Sequence, residues 1–309
     1  MADRSTSSEP ASPSTPVRIT RVGIVAKRNL RQASKPLSEL AEWLERRGIR
    51  PIFDEETASL LASGSPAEVL SREKLPLGVD LIVVLGGDGT LLACASRIAQ
   101  AGADIPILGV NFGSLGFLTE IRLDELYPSL DATIAGHARL DDRMMLQVSV
   151  LAGSEVIFNQ TALNDVVITK GALSRMIDLS VTVNDTFVAR FKADGLIVAS
   201  PTGSTAYNLA AGGPIVHPVM NAMVMTPIAP HTLTNRPIVI PSSSIVRMQP
   251  LPDGNTDDIW VTVDGQTASL LAKNHVVRVE QASRRVRVVR ASSRSYFEVL
   301  REKLKWAER

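Results

Sequence analysis

Leu81-Ile82-Val83-Val84-Leu85-Gly86-Gly87-Asp88-Gly89-Thr90 is the stretch on which the reading of this chain turns. Five branched apolar residues without polar alternation predict a strand buried on both faces, as in a parallel sheet covered by helices. The glycines that follow let a large anion approach bare backbone, and the N–H groups opening a next helix favour negative charge. Asp88 does not serve that purpose, because a carboxylate repels phosphate. Its place among glycines points to chemistry on a hydroxyl beside a phosphate, and so to phosphoryl transfer. The alternative is a tight strand-to-helix turn with an Asp cap.

Outward from this stretch, the chain from Val17 to His137 alternates strand and helix. Val22 to Ala26 reads as a buried strand, Ile52-Phe53 as a weak one, and Ile107 to Val110 as another. Leu37, Leu40, Ala41 and Leu44 recur at helical spacing before Gly48, which stands where a C-terminal cap belongs. Leu91, Leu92, Ala95, Ile98 and Ala99 form one face of a helix ending near Gly102. This pattern predicts a parallel sheet whose ligands bind beyond the carboxyl ends of its strands. The loops Gly86 to Thr90 and Asn111 to Gly116 both fall on that edge.

After Arg143 the texture changes to short strands separated by turn residues. Leu146–Leu151, Val156–Phe158, Val166–Ile168, Leu179–Val183 and Leu196–Ala199 are followed by Ile238–Ile240, Ile259–Val263, Val276–Val279 and Val286–Val289. Asn184-Asp185 reads as a hairpin turn. Such spacing predicts stacked sheets or a sandwich, interrupted by a short helix near Ser204 to Ala211. Tyr296, Phe297, Leu300 and Leu304 predict a closing amphipathic helix. The expected fold is therefore an α/β first domain with a parallel sheet and a β-rich second domain. The expected division is a disordered tail at 1–16, domains at 17–140 and 141–290, and a segment at 291–309 that packs back on the first domain.

The 309 residues suffice for two cores, and 45% hydrophobic with 21% charged content is that of an ordinary soluble globular protein. A formal charge of +1 gives no basic field for nucleic acid or an anionic membrane. Cys94 is the single cysteine, which excludes an intramolecular disulfide and points to a reducing, cytoplasmic setting. No apolar run approaches the length needed to span a bilayer.

The Gly-x-x-x-x-Gly-Lys-[Ser/Thr] loop, the protein-kinase loops and the dinucleotide fingerprint of three spaced glycines are all absent. Three other segments stand out: Leu163-Asn164-Asp165, Lys192-Ala193-Asp194-Gly195, and Ser200 to Pro214. Lys192 and Asp194, two apart on a strand, face one side and form either a solvated pair or a ligand clamp. Ser200 to Pro214 joins a hydroxyl-rich turn to a short helix carrying Tyr207, a flat ring available for stacking. His137, His217, His231 and His275 are too scattered for a zinc site.

Gly86-Gly87-Asp88-Gly89-Thr90, Leu163-Asn164-Asp165, the Asp194 to Pro214 segment and the Thr226-Pro227 to Pro237 run stand in the order found in NAD kinases. From Val17 onward the chain resembles that family. The first motif alone is shared with diacylglycerol and sphingosine kinases. Together with Thr202-Gly203-Ser204-Thr205-Ala206-Tyr207 and Pro230-His231-Thr232-Leu233 the match is specific.

The resemblance implies transfer of the terminal phosphoryl of ATP to the 2′-hydroxyl of the adenosine ribose of NAD. Asp88 would be the base, and Gly86, Gly87, Gly89 and Thr90 would hold the donor phosphates. Asn164 and Asp165 match a pair that holds the ribose and nicotinamide portions, with Gly89 beside them. Arg175, Lys192, Asp194, Thr205, Ala206, Tyr207, Asn208, Leu209, Ala210, Ala229 and Gln266 match further NAD contacts. A divalent cation, Mg²⁺, would arrive with ATP, without a dedicated protein site. Family members are homo-oligomers, which implies a homodimer or homotetramer. Two other functions compete: a lipid kinase sharing the glycine loop, and a non-catalytic NAD-binding sensor.

Overall fold

The computed structural model describes residues 18–28, 30–61, 68–113, 115–171, 176–251, 258–290 and 294–306. The expected tail at 1–16 and Arg175 lie outside them. The first half runs β1 (Arg21–Ala26), α1 (Ser34–Glu45), β2 (Arg50–Asp54), α2 (Glu55–Ala58), β3 (Glu68–Leu70), β4 (Leu81–Gly86), α3 (Asp88–Gln100), β5 (Pro106–Asn111), β6 (Ile121–Arg122) and α4 (Leu126–Ile134). Its strands lie parallel in the order β3-β2-β1-β4-β5.

β4 is buried along its whole length, and its alternate residues serve two cores. Leu81, Val83 and Leu85 pack with Leu37, Leu40 and Leu44 of α1. Ile82 and Val84 pack with Leu91, Ala95 and Ile98 of α3. This double burial is why the strand shows no polar alternation. The sequence reading missed α4, whose Pro128 stands in the first turn, where a missing N–H costs nothing.

The second half runs β7 (Arg139–Ala152), β8 (Glu155–Ala162), β9 (Asp165–Lys170), β10 (Ile177–Val183), β11 (Thr186–Ala193), β12 (Gly195–Ala199), α5 (Tyr207–Ala210), β13 (Ala222–Ile228) and β14 (Ile238–Pro241). It ends with β15 (Val246–Pro250), β16 (Ile259–Val263), β17 (Thr267–Leu271), β18 (His275–Arg290) and α6 (Tyr296–Leu304). Six strands form an antiparallel sheet in the order β14-β13-β12-β9-β16-β17. It stacks on a second layer through a core that includes Val166, Ile168, Leu196, Val198, Leu146, Val181, Met248 and Val277. The α/β and stacked-sheet halves expected from the sequence are both present.

The second layer is not a separate sheet. β18 was expected as two strands, Val276–Val279 and Val286–Val289, and is one, with a register shift between Gln281 and Arg285. Before the shift it pairs antiparallel with β15; after it, Arg287 and Val288 pair in parallel with Pro106 and Ile107 of β5. The bulge bends the strand from one half into the other, and a single 12-stranded sheet results.

Two local expectations need correction. Lys192 and Asp194 do not share a strand face: β11 ends at Ala193, β12 begins at Gly195, and Asp194 is the crossing point between the two sheets. The expected helix at Ser204 to Ala211 is a 3-10 turn at Thr202–Thr205 followed by α5, with Ala206 non-helical between them. Asn184 and Asp185 do form the hairpin turn, with φ of 49° and 63°. Among the described residues no helix is long and apolar enough to cross a membrane. Cys94 is buried in α3, and desolvation pushes its thiol up to about 12, so it is inert.

Candidate active site

Asp88 is the first residue of α3, where the chain leaves the carboxyl end of β4. Its Oδ1 accepts from the N–H of Leu118 (3.1 Å), the N–H of Thr119 (3.0 Å) and the hydroxyl of Thr119 (2.9 Å). Its Oδ2 accepts only from the N–H of Phe117 (2.8 Å). The loop after β5 thus grips the carboxylate on one oxygen and leaves the other half-occupied. Gly116 makes the grip possible, since a Cβ there would stand 2.1 Å from Asp88 Oδ1. Asn111 steadies the loop by donating to the Thr119 hydroxyl at 3.1 Å. Sequence reading placed the Asn111–Gly116 loop on this edge but missed Phe117 to Thr119, which act mainly through backbone and carry no side-chain signature.

The turn Leu163-Asn164-Asp165 is built around a residue the sequence reading did not assign. Asp264, at the tip of the β16–β17 hairpin, accepts the N–H groups of Leu163 (2.8 Å), Asn164 (2.8 Å) and Asp165 (3.1 Å). Asp264 and Gly265 both have positive φ, 51° and 64°, as a tight hairpin requires. The pair Asp-Gly was the available signal. Burial raises the Asp264 carboxyl above its usual range, although the three N–H donors oppose this. Asp165, 5% exposed, is pushed up to about 7 by burial and then by the adjoining Asp264.

A cavity of about 380 Å³ opens over this turn, with Asn164, Asp165, Ala206, Tyr207, Thr262 and Asp264 among its walls. Packing against Asn164 is tight, since a Cβ on the buried Gly203 would stand 2.1 Å from the Asn164 carbonyl oxygen. The same hairpin reaches the glycine loop, where Gln266 Nε2 donates to the carbonyl of Gly89 at 2.9 Å. A larger cavity, about 590 Å³ between Ala132, His217 and Tyr296, is lined by none of the residues that the family resemblance assigns to substrate.

Asn208 is turned into the protein. Its amide donates to the carbonyls of Ser204 (2.9 Å) and Pro214 (3.0 Å) and accepts from the Thr226 hydroxyl (2.6 Å). Thr205 donates to the carbonyl of Thr202; Leu209 is half-buried and Ala210 exposed. Lys192, Asp194 and Ala229 gather elsewhere. Asp194 pairs with Lys170 at 3.1 Å, not with Lys192, and its N–H donates to the carbonyl of Ile228. Lys192 is exposed and its carbonyl accepts from the N–H of His231. Ala229, exposed, holds a positive φ of 41°. This second cluster adjoins the far end of β9 at Lys170, about 17 Å from Asp165 at the rise of an extended strand.

Among the described residues no three His, Cys, Asp or Glu side chains converge as a metal site. The glycine loop offers one carboxylate and backbone N–H groups, a donor set suited to phosphate oxygens more than to a resident ion.

The chain matches the ATP-NAD kinase N-terminal domain over residues 22–138 and the ATP-NAD kinase C-terminal domain over residues 163–291. It is 46% identical over 289 residues to the NAD kinase of Geobacter metallireducens, covering 94% of this chain and 99% of that protein. It is 48% identical over 289 residues to the NAD kinase of Geobacter sulfurreducens, at the same coverage of each. The structure superposes on yeast NADH kinase complexed with NADH with a TM-score of 0.86 at 26% identity, covering 94% of this chain and 89% of that one. On an NAD kinase from Archaeoglobus fulgidus in complex with ATP the TM-score is 0.70 at 25% identity, covering 91% and 99%. With the gripped Asp88, the turn at Asn164-Asp165 and these matches along both halves, the chain belongs to the NAD kinase family.

Proposed function

We propose that this chain is an ATP-dependent NAD kinase, transferring the terminal phosphoryl of ATP to the 2′-hydroxyl of the adenosine ribose of NAD to give NADP and ADP. The observation that carries the reading is the asymmetry of Asp88. Three donors saturate Oδ1, whereas Oδ2 has one donor and a lone pair to spare. Oδ2 takes the proton as the ribose oxygen attacks the terminal phosphorus, and the bond from that phosphorus to the ADP oxygen breaks. A positioned base of this kind is worth roughly 10² to 10⁴ in rate.

Backbone N–H groups of Gly86, Gly87 and Gly89 and the hydroxyl of Thr90, whose own N–H is bonded to the Gly87 carbonyl, receive the donor phosphates at the start of α3. Asn164, Asp165, Ala206 and Tyr207 take the dinucleotide in the cavity they line. Gln266, bonded to Gly89, ties that cavity to the donor loop. Thr205, Asn208, Leu209 and Ala210 shape the wall, Asn208 by bracing it from behind. A divalent cation, Mg²⁺, enters on ATP and neutralises part of its charge.

Lys192, Asp194 and Ala229 stand apart from Asp165 within one chain, which supports a homo-oligomer in which a second copy brings them to the dinucleotide. Arg175 belongs to the same reading on sequence grounds alone, and so does a cytoplasmic setting. The test is NADP formation from NAD and ATP by the purified chain, with polyphosphate offered as a separate donor. NADP formed with ATP is the expected result. NAD binding without turnover would leave a sensor, and the kinase reading would be lost.

A further inference from the structure

Lys27 follows β1 on the edge where the glycine loop lies, and its N–H donates to the carbonyl of Leu85 at 2.9 Å. That bond seats its side chain against the loop. A Cβ on Gly86 would stand 3.2 Å from Lys27 Cβ and 2.7 Å from Thr90 Oγ1, so lysine and threonine flank the same glycine. Lys27 is exposed.

The other cations near this edge are committed. Arg28 pairs with Glu56 at 2.7 Å. Arg72 pairs with Glu56 at 2.8 Å and with the fully buried Asp54. Lys303, from α6, sits 5.8 Å from the centre of the Phe117 ring. Lys27 has no carboxylate within ion-pair reach among the described residues. An unpaired ammonium is thus rooted beside a loop that otherwise offers only neutral N–H dipoles and the repelling charge of Asp88.

We propose that Lys27 is the side chain that holds the donor's terminal phosphates over the Gly86–Thr90 loop, a role that rests on the kinase reading above. The charge balance asks for it. A triphosphate carries more negative charge than one bound divalent cation cancels, and Asp88 adds to the excess. A lysine suits the position, being a compact charge on a flexible stem that can follow a phosphoryl group as it moves from donor to acceptor. The absence of a carboxylate partner leaves that charge available to the substrate.

Steady-state kinetics and equilibrium binding on the full chain test the assignment. Lys27→Ala should raise KM for ATP about tenfold, the usual loss of one charge-assisted hydrogen bond, with KM for NAD unchanged. Lys27→Arg should recover most of the loss. Lys35→Ala, remote and paired with Glu39, should leave both constants as they are. An unchanged KM for ATP in Lys27→Ala, or an equal rise in both KM values, overturns the proposal. Calorimetric titration with MgATP compares wild type and Lys27→Ala without turnover. A wild type that binds MgATP yet makes no NADP sinks the kinase reading, while Lys27 is then judged by Kd alone.

Discussion

At the scale of single residues, two carboxylates lie in opposite surroundings. Asp88 lies at the half-exposed start of α3, surrounded by donors. Asp88→Asn keeps an oxygen for the three donors at Oδ1 and removes the proton acceptor at the other atom. Its kcat should fall about a hundredfold or more, near 3 kcal/mol, while NAD affinity measured by titration stays close to wild type. A kcat within a few-fold of wild type would remove Asp88 as the base. Asp165 is the contrasting case, held at about 7 by burial. Between roughly pH 4 and pH 7 the folded chain keeps a proton that the unfolded chain has released, so this group lowers stability as pH rises through that window. Asp165→Asn removes the cost. Its thermal midpoint should exceed that of wild type at pH 8 and converge with it near pH 4. Asp88, Asn164 and Asp165 were legible in the sequence because polar residues at strand ends are conspicuous. Asp264 and Phe117 to Thr119 were not, because their contribution is made to or through backbone amides.

At the scale of elements, apolar runs and helical spacing located β4, β5, α1 and α3 to within a few residues. Within Ser200 to Pro214, the turn leading to a short helix was legible, but the helix expected at Ser204 to Ala211 is divided between a 3-10 turn and α5. What holds it is neither helix propensity nor an amphipathic face but the amide of Asn208, bridging Ser204, Pro214 and Thr226. Asn208→Ala strands those partners in a buried place and should cost on the order of 3 kcal/mol. Urea unfolding measures this, and a loss below about 1 kcal/mol would show that the loop is held by other contacts. Lys192 and Asp194 illustrate a different failure. Two-residue periodicity assumes that a strand stays in one sheet, and Asp194 marks the place where this chain changes sheets.

At the scale of the whole molecule, both halves were legible from texture, and their union was not. The polar interval Gln281 to Arg285 reads as a loop and conceals a continuous strand. Because β18 joins the core shared with β15 to the sheet shared with β5, neither half can lose its structure without breaking the other's ladder. A calorimetric scan should therefore show one cooperative transition, with matching calorimetric and van't Hoff enthalpies. Two resolved transitions would mean that the halves are energetically independent.

The same continuous strand constrains how the substrates can be brought together. Two lobes joined by a loose linker close like a book. Lobes that share a hydrogen-bonded ribbon resist that hinge, because opening them would break the ladders of β18 with β15 and β5, and twisting the ribbon is the cheaper distortion. The kink between Gln281 and Arg285, where the ladder to β7 is interrupted, is then the compliant length of a torsion spring, and its stiffness sets the energy of any such twist.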